Sequence, residues 1–154
     1  MITAVLPDPS GLGRIIRDDK NTILRVAEEK DADAAERNIH EINSGIYLVP
    51  ANYLHAWLPN LDSHNAQQEY YLTEIISLAA KNNIPVHSIS PTCYQEILGV
   101  NDCAQVATLE RFYQRQQAEK LMRQGVTILD PERFDVRGEV QIGQDVVIDI
   151  NVVL

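Results

Sequence analysis

The chain has 154 residues, 45% of them apolar, which is enough to build an ordinary core and too much for a disordered protein. There is no run of about 18 apolar residues, so no transmembrane helix is expected. Thirteen basic against 22 acidic residues leave a net charge of −9, which argues against nucleic acid or an anionic membrane as a partner and leaves any anionic nucleotide in need of a divalent cation.

Met1 to Leu6 is a short apolar run without a basic n-region, so it reads as a strand and not as a secretory signal. It begins with nothing ahead of it. Pro7 to Gly13 is dense in proline and glycine and makes a loop. Arg14–Arg17 and Thr22–Val26 form two strands joined by the hairpin turn Asp18-Asp19-Lys20-Asn21. Glu28–Arg37 is a charged surface stretch or a short helix. Ile42–Val49 has the composition of a strand interrupted by Gly45, as expected where another backbone approaches closely.

Pro50 suits the first position of a helix carrying Leu54, Trp57 and Leu58, which Pro59 ends. Asp62–Gln68 is a polar loop. Tyr70–Ala80 places Leu72, Ile75, Ile76 and Ala79 on one helical face. Val86–Ile89 is a short strand. Asp102 is the expected N-cap of a long helix from Cys103 to about Gln124, with Gly125 as its stop. Val106, Leu109 and Tyr113 line its apolar stripe, Leu121 and Met122 extend it, and Gln114–Gln117 face solvent.

After Arg137 the pattern changes. Val140, Val146 and Val152 recur every six residues, as do Ile142, Ile148 and Leu154. That period marks a hexapeptide β-helix coil, which must stack on other coils to bury its face; an ordinary strand pair is the alternative. The tail ends within one such coil, so a longer parent protein is expected. Cys93 and Cys103 do not form a CxxC pair and the four histidines are scattered, so no zinc framework is expected. Reduced thiols in a cytoplasmic protein fit that pattern.

The candidate chemistry is spread along the chain. Gly11-Leu12-Gly13 is either a tight turn or a loop whose amides approach a ligand. Glu28 belongs to a solvated charge run or offers a carboxylate to hydroxyl groups. Asn43 is a turn residue or an amide that donates to and accepts from a ligand. Tyr71 and Thr73 suit packing and local backbone bonding as well as a site. Asn101 is a helix cap or an oxygen ligand for Mg²⁺.

In their order, the segments DPSGLGRI, VAEEKDA, EINSGIYL, NAQQEYYLTEII, ILGVND and DPERFDVRG resemble the bacterial bifunctional N-acetylglucosamine-1-phosphate uridylyltransferase / glucosamine-1-phosphate acetyltransferase family. The resemblance covers nearly the whole chain. It implies an α/β fold: the C-terminal half of a Rossmann-like nucleotidyltransferase domain over residues 1–102, a linker helix over 103–125, and the start of a left-handed parallel β-helix over 126–154. It also implies the formation of UDP-N-acetylglucosamine and pyrophosphate from UTP and N-acetylglucosamine 1-phosphate. That reaction feeds cell-wall and lipopolysaccharide precursor synthesis. A complete enzyme would be a homotrimer that also acetylates glucosamine 1-phosphate from acetyl-CoA. Gly13, Glu28, Asn43, Tyr71, Thr73 and Asn101 match residues that bind the nucleotide sugar, and Asn101 matches the asparagine that binds Mg²⁺.

Two departures accompany the resemblance. Leu12 stands where the family loop commonly has tyrosine. The family's glycine-rich loop with its arginine and lysine, the aspartate that shares the metal, and the acetyltransferase histidine have no counterpart in this chain. The isolated chain is therefore expected to be inactive. A nucleotidyltransferase for another hexose phosphate and a non-catalytic oligomerisation module are the competing expectations.

Overall fold

In the computed structural model, which describes residues 1–100 and 102–154, the chain divides into two units, 1–98 and 99–154. The first unit is organised by the predicted hairpin. Strands β2 (Arg14–Arg17) and β3 (Ile23–Ala27) pair antiparallel. Their turn is tied by the Asp18 carboxylate, which accepts from the amides of Lys20 at 2.9 Å and Thr22 at 2.7 Å. Asn21 supplies the left-handed backbone of the turn, a conformation asparagine tolerates better than most residues.

Strands β1 (Thr3–Val5) and β4 (Glu41–Asn43) complete a four-stranded sheet of order β1-β4-β2-β3. The order matters for the site. Arg14 lies opposite both Ile42 and Ala27, so the start of β2, the end of β4 and the end of β3 meet at one end of the sheet. Gly13, Asn43 and Glu28 each adjoin or end one of these strands.

Helix α1 (Ala34–Arg37) lies between β3 and β4 in sequence, and α2 (Ala51–Trp57) and α3 (Glu74–Lys81) follow β4. Ile15 and Ile23 are buried with Trp57, Ile75, Ile76 and Ala79, while Ala4, Leu6 and Ile42 form a second cluster with Leu12, Tyr94, Ile97 and Leu98. The structure corrects several element boundaries. The strand expected over Ile42–Val49 stops at Asn43, because Gly45 turns the chain with φ +78°. The helix expected from Tyr70 begins at Glu74, leaving Tyr71 and Thr73 in the approach to it. Pro50 caps α2 from outside, and Pro59 lies within a 3-10 turn, Leu58–Asn60. The strand expected at Val86–Ile89 reduces to one parallel bridge between Ile89 and Ile2.

The second unit opens with α4 (Cys103–Arg123). The Asp102 carboxylate accepts from the Gln105 amide at 2.8 Å, as an N-cap does. Gly125, at φ +97°, ends the helix: its amide reaches Met122 O at 3.1 Å, and the Val126 amide reaches Leu121 O at 3.2 Å. The expected apolar stripe is corrected at its first half. Val106 and Tyr113 are about half exposed, and the buried residues are Gln114, Ala118 and Leu121. Gln114, expected in solvent, bonds the backbone of Val136 in both directions. Its Oε1 accepts from the Val136 amide at 2.7 Å and its Nε2 donates to the Val136 carbonyl at 3.0 Å. A polar side chain satisfied in this way enters a core without an unmade hydrogen bond.

The tail forms four short strands: β5 (Thr127–Ile128), β6 (Phe134–Asp135), β7 (Val147–Ile148) and β8 (Val152–Val153). β5 pairs parallel with β7 and β6 with β8, which sets Ile128 beside Ile148 and Phe134 beside Val152. Stacked coils require parallel pairing; a hairpin would be antiparallel. Phe134 and Ile148 are core residues, with Val140, Ile142 and Val152 packed against them. The fold is mixed α/β. No helix among the described residues is long and apolar enough to cross a membrane.

Candidate functional site

The loop before β2 is fixed by an ion pair buried on its arginine side. Arg14 is only 2% exposed, and its guanidinium bonds the Glu29 carboxylate at 2.7 Å as well as the Leu12 carbonyl. The same Glu29 oxygen accepts from the Gly11 amide at 3.1 Å. The neighbouring guanidinium holds the Glu29 carboxyl below its ordinary value, so it stays charged and keeps the loop tied. Glu28 and Glu29, adjacent in one charge run, therefore have separate tasks.

Glu28 faces the other way, toward Gly13. A Cβ on Gly13 would lie 2.8 Å from Val26 Cγ1 and 3.3 Å from Glu28 Oε2, so a side chain there collides with its neighbours. The Gly13 carbonyl accepts from the Asn43 amide at 2.8 Å. Thr73, at the entry to α3, donates its hydroxyl to Glu28 Oε1 at 2.8 Å. Four of the expected residues thus converge: Gly13, Glu28, Asn43 and Thr73.

The Asn43 side chain is held from the far side. Its Oδ1 accepts from the Tyr47 hydroxyl at 2.7 Å and from the Gly45 amide at 3.1 Å. The turn at Gly45 that ends β4 early is what brings both donors to this oxygen. The Tyr71 hydroxyl oxygen is sealed from solvent and makes no hydrogen bond of ordinary geometry. Burial weakens its acidity; among the nearby side chains Gln67 opposes that effect, while Asp31 and Glu28 add to it. Together these groups offer a carboxylate, an amide and a hydroxyl beside a side-chain-free backbone position. A set of this chemistry is able to hydrogen-bond a polyhydroxylated ligand.

Asn101, the expected Mg²⁺ ligand, lies outside the described residues. Among the described residues no group of three or more His, Cys, Asp and Glu side chains comes together.

No family model matches the chain. Individual proteins do. Bifunctional protein GlmU of Cellvibrio japonicus is 52% identical over 154 residues, which is 100% of this chain and 34% of that protein. Bifunctional protein GlmU of Acinetobacter baylyi is 53% identical over the same 154 residues, again 34% of its length. That of Pseudomonas aeruginosa strain LESB58 is 53% identical over 151 residues, 98% of this chain and 33% of that protein. The whole chain matches part of bifunctional GlmU. It spans about a third of the length of the curated GlmU relatives it matches.

The match to GlmU covers every residue of the converging cluster and Asn101 as well. Sequence reading missed three contributors to the cluster. Arg14 and Glu29 position the loop, and Tyr47 orients Asn43. Arg14 carried a signal in hindsight: an arginine directly before the two isoleucines of β2 needs an acidic partner where the strand is buried. Tyr47 carried none, because a tyrosine in an apolar run reads as packing.

Proposed function

We propose that this chain supplies the sugar-binding side of a uridylyltransferase that makes UDP-N-acetylglucosamine. The observation that carries this is the convergence of Gly13, Glu28, Asn43 and Thr73 in a chain matching GlmU along its whole length. In the complete enzyme, a phosphate oxygen of N-acetylglucosamine 1-phosphate attacks the α-phosphorus of UTP. The bond from that phosphorus to the bridging oxygen breaks, and pyrophosphate leaves. Catalysis of this kind rests on positioning and needs no covalent protein nucleophile. The role of this chain is to hold the sugar. Residues 1–102 are assigned to the C-terminal half of a Rossmann-like uridylyltransferase domain, 103–125 to a linker helix, and 126–154 to the first coil of a left-handed β-helix. Acetylation of glucosamine 1-phosphate and homotrimer formation, in the cytoplasm, belong to the complete protein. Asn101 contributes one Mg²⁺ ligand, and the remaining donors come from outside this chain.

The test is a nuclear magnetic resonance titration of the chain with N-acetylglucosamine 1-phosphate and with UDP-N-acetylglucosamine. The amides of Gly13, Asn43 and Thr73 are expected to shift together. A response confined to residues remote from these, or none, would overturn the reading. The same titration with glucose 1-phosphate and mannose 1-phosphate separates it from a nucleotidyltransferase for another hexose.

A second reading is favoured by one observation. Val147, Val153 and Ile150 on the tail are between about two-fifths and two-thirds exposed, an apolar surface suited to self-association. On that reading the chain is an assembly module. Light scattering separates the two: a monodisperse monomer rules out assembly through this surface.

A further inference from the structure

Asn43 presents a choice that amide side chains normally leave open. A free asparagine can turn either its oxygen or its nitrogen toward a ligand, and so can read either a donor or an acceptor. Here the choice is closed. The Gly45 backbone N–H can only donate, so the atom facing it at 3.1 Å must be the oxygen. The Tyr47 hydroxyl takes the other acceptor position of the same oxygen at 2.7 Å. Both lone pairs of Oδ1 are then engaged, and the two N–H groups of Nδ2 have no bonding partner among the described residues.

We infer that Tyr47 is a positioning residue that locks Asn43 into a donor-only orientation, so the group read at this point must be a hydrogen-bond acceptor. This rests on the proposed sugar-binding reading for what fills the site, but the lock itself is a property of the unliganded chain. Two features make the lock firm. Tyr47 is half-buried against the apolar cluster of Trp57, Ile75 and Ile76, so its ring is held by packing. The Gly45 donor sits at φ +78°, a backbone conformation that glycine adopts without strain, so the turn that aims the N–H is itself stable. Across the site, Glu28 is the complement. Its Oε1 accepts from Thr73, and as a carboxylate it can only accept. A donor-only amide and an acceptor-only carboxylate, both beside Gly13, select a ligand that offers an acceptor as well as a donor. An acetamido group beside a hydroxyl offers both. A protonated amine in place of the acetamido group offers donors alone at that position.

The experiment uses the 154-residue chain and its Tyr47→Phe and Asn43→Asp variants. The Asn43 side-chain NH₂ resonances report the lock without any ligand. In Tyr47→Phe they are expected to collapse toward the averaged shifts of a mobile asparagine while the backbone spectrum elsewhere is kept. Unchanged NH₂ resonances in that variant would overturn the lock. Asn43→Asp keeps both acceptor contacts, loses the N–H donors and adds a negative charge, so neutral N-acetylglucosamine is titrated beside the sugar phosphate to separate lost donors from charge repulsion. This variant is expected to fold normally and to lose binding of N-acetylglucosamine 1-phosphate by about tenfold or more, while Tyr47→Phe loses roughly fivefold, as expected for one hydrogen bond. Binding by Asn43→Asp equal to that of the unmodified chain would overturn the donor assignment. Should the unmodified chain bind no sugar phosphate, the sugar-binding reading fails, and the ligand-free resonances still decide the role of Tyr47. If Tyr47→Phe does not fold, Asn43→Asp still decides whether the N–H groups carry recognition.

Discussion

A methyl group on Gly13 would press on Val26, a branched side chain in the middle of a hairpin, and on the carboxylate of Glu28. The glycine is therefore required by close approach, with no help from an unusual backbone angle. Gly13→Ala is expected to cost about 1–3 kcal/mol, the usual range for overpacking, and to push Glu28 away from Thr73. Urea unfolding measures the first, and the Thr73 amide shift reports the second; an alanine variant as stable as the parent would mean that Val26 yields freely. Tyr47 makes a pH prediction. Burial, aided by the negative charge of Glu28 and opposed by the bond to Asn43, raises its phenol from 10.0 to about 12. A raised pKa means that the fold favours the neutral phenol. Its contribution to stability is complete below pH 10 and is lost as pH rises through about 12. Ultraviolet titration should find Tyr47 and Tyr71 both ionising above the ordinary phenol value, and Tyr47→Phe should remove the step near 12. At this scale Gly13, Glu28 and Asn43 were legible only as ambiguous residues, because local sequence cannot show that three strand ends meet. Of their partners, Arg14 was legible only as a cation in need of an acid, and Glu29 and Tyr47 were illegible, since those bonds depend on tertiary structure.

The elements were easiest to read where local chemistry decides them. The hairpin turn carries its own tie in Asp18, and α4 carries its own N-cap in Asp102 and its stop in Gly125. They were hardest to read where a tertiary bond overrides polarity. The buried face of α4 was assigned by hydrophobicity to Val106 and Tyr113, but Gln114 displaces them because its amide mimics a backbone partner for Val136. Replacing Gln114 by leucine keeps the volume and strands both backbone groups. The expected loss is about 1–3 kcal/mol, and alanine should be no better. Hydrogen exchange of the Val136 amide is the check, and protection undiminished in the leucine variant would show that packing alone holds this contact. The sheet carries a comparable bond between β2 and β4. Arg17 grips Glu41 through two nitrogens, at 2.8 and 2.7 Å, and also reaches Ser88 at 2.9 Å. Arg17 holds the Glu41 carboxyl below its ordinary 4.5. The stabilisation is therefore present above that value and is lost as pH falls through the lower folded one. Glu41→Gln should flatten the acid limb of the stability profile, measured by thermal unfolding between neutral pH and pH 3.

For the chain as a whole, charge decides what it can hold. The net charge is −9, and every arginine in residues 1–98 is already committed to a carboxylate: Arg14 and Arg37 to Glu29, Arg17 to Glu41 and Arg25 to Glu36. Releasing one of these to a phosphate would leave its carboxylate unpaired, and for Arg14 that would mean breaking a buried contact. A sugar needs no such cation, because it is held by neutral and carboxylate hydrogen bonds of the kind found at Glu28 and Asn43. A triphosphate does need one, since its charge must be met by converging cations or by a metal with enough oxygen ligands. The proposed division of labour follows from this difference. The chain alone should bind N-acetylglucosamine 1-phosphate measurably, bind UTP at least tenfold more weakly, and produce no UDP-N-acetylglucosamine from the two. Calorimetry on both ligands, followed by chromatography of a mixture of chain, both substrates and Mg²⁺, makes the comparison. Turnover by the purified chain would show that the cations it needs are within these 154 residues after all, and the division between sugar and phosphate recognition would have to be abandoned.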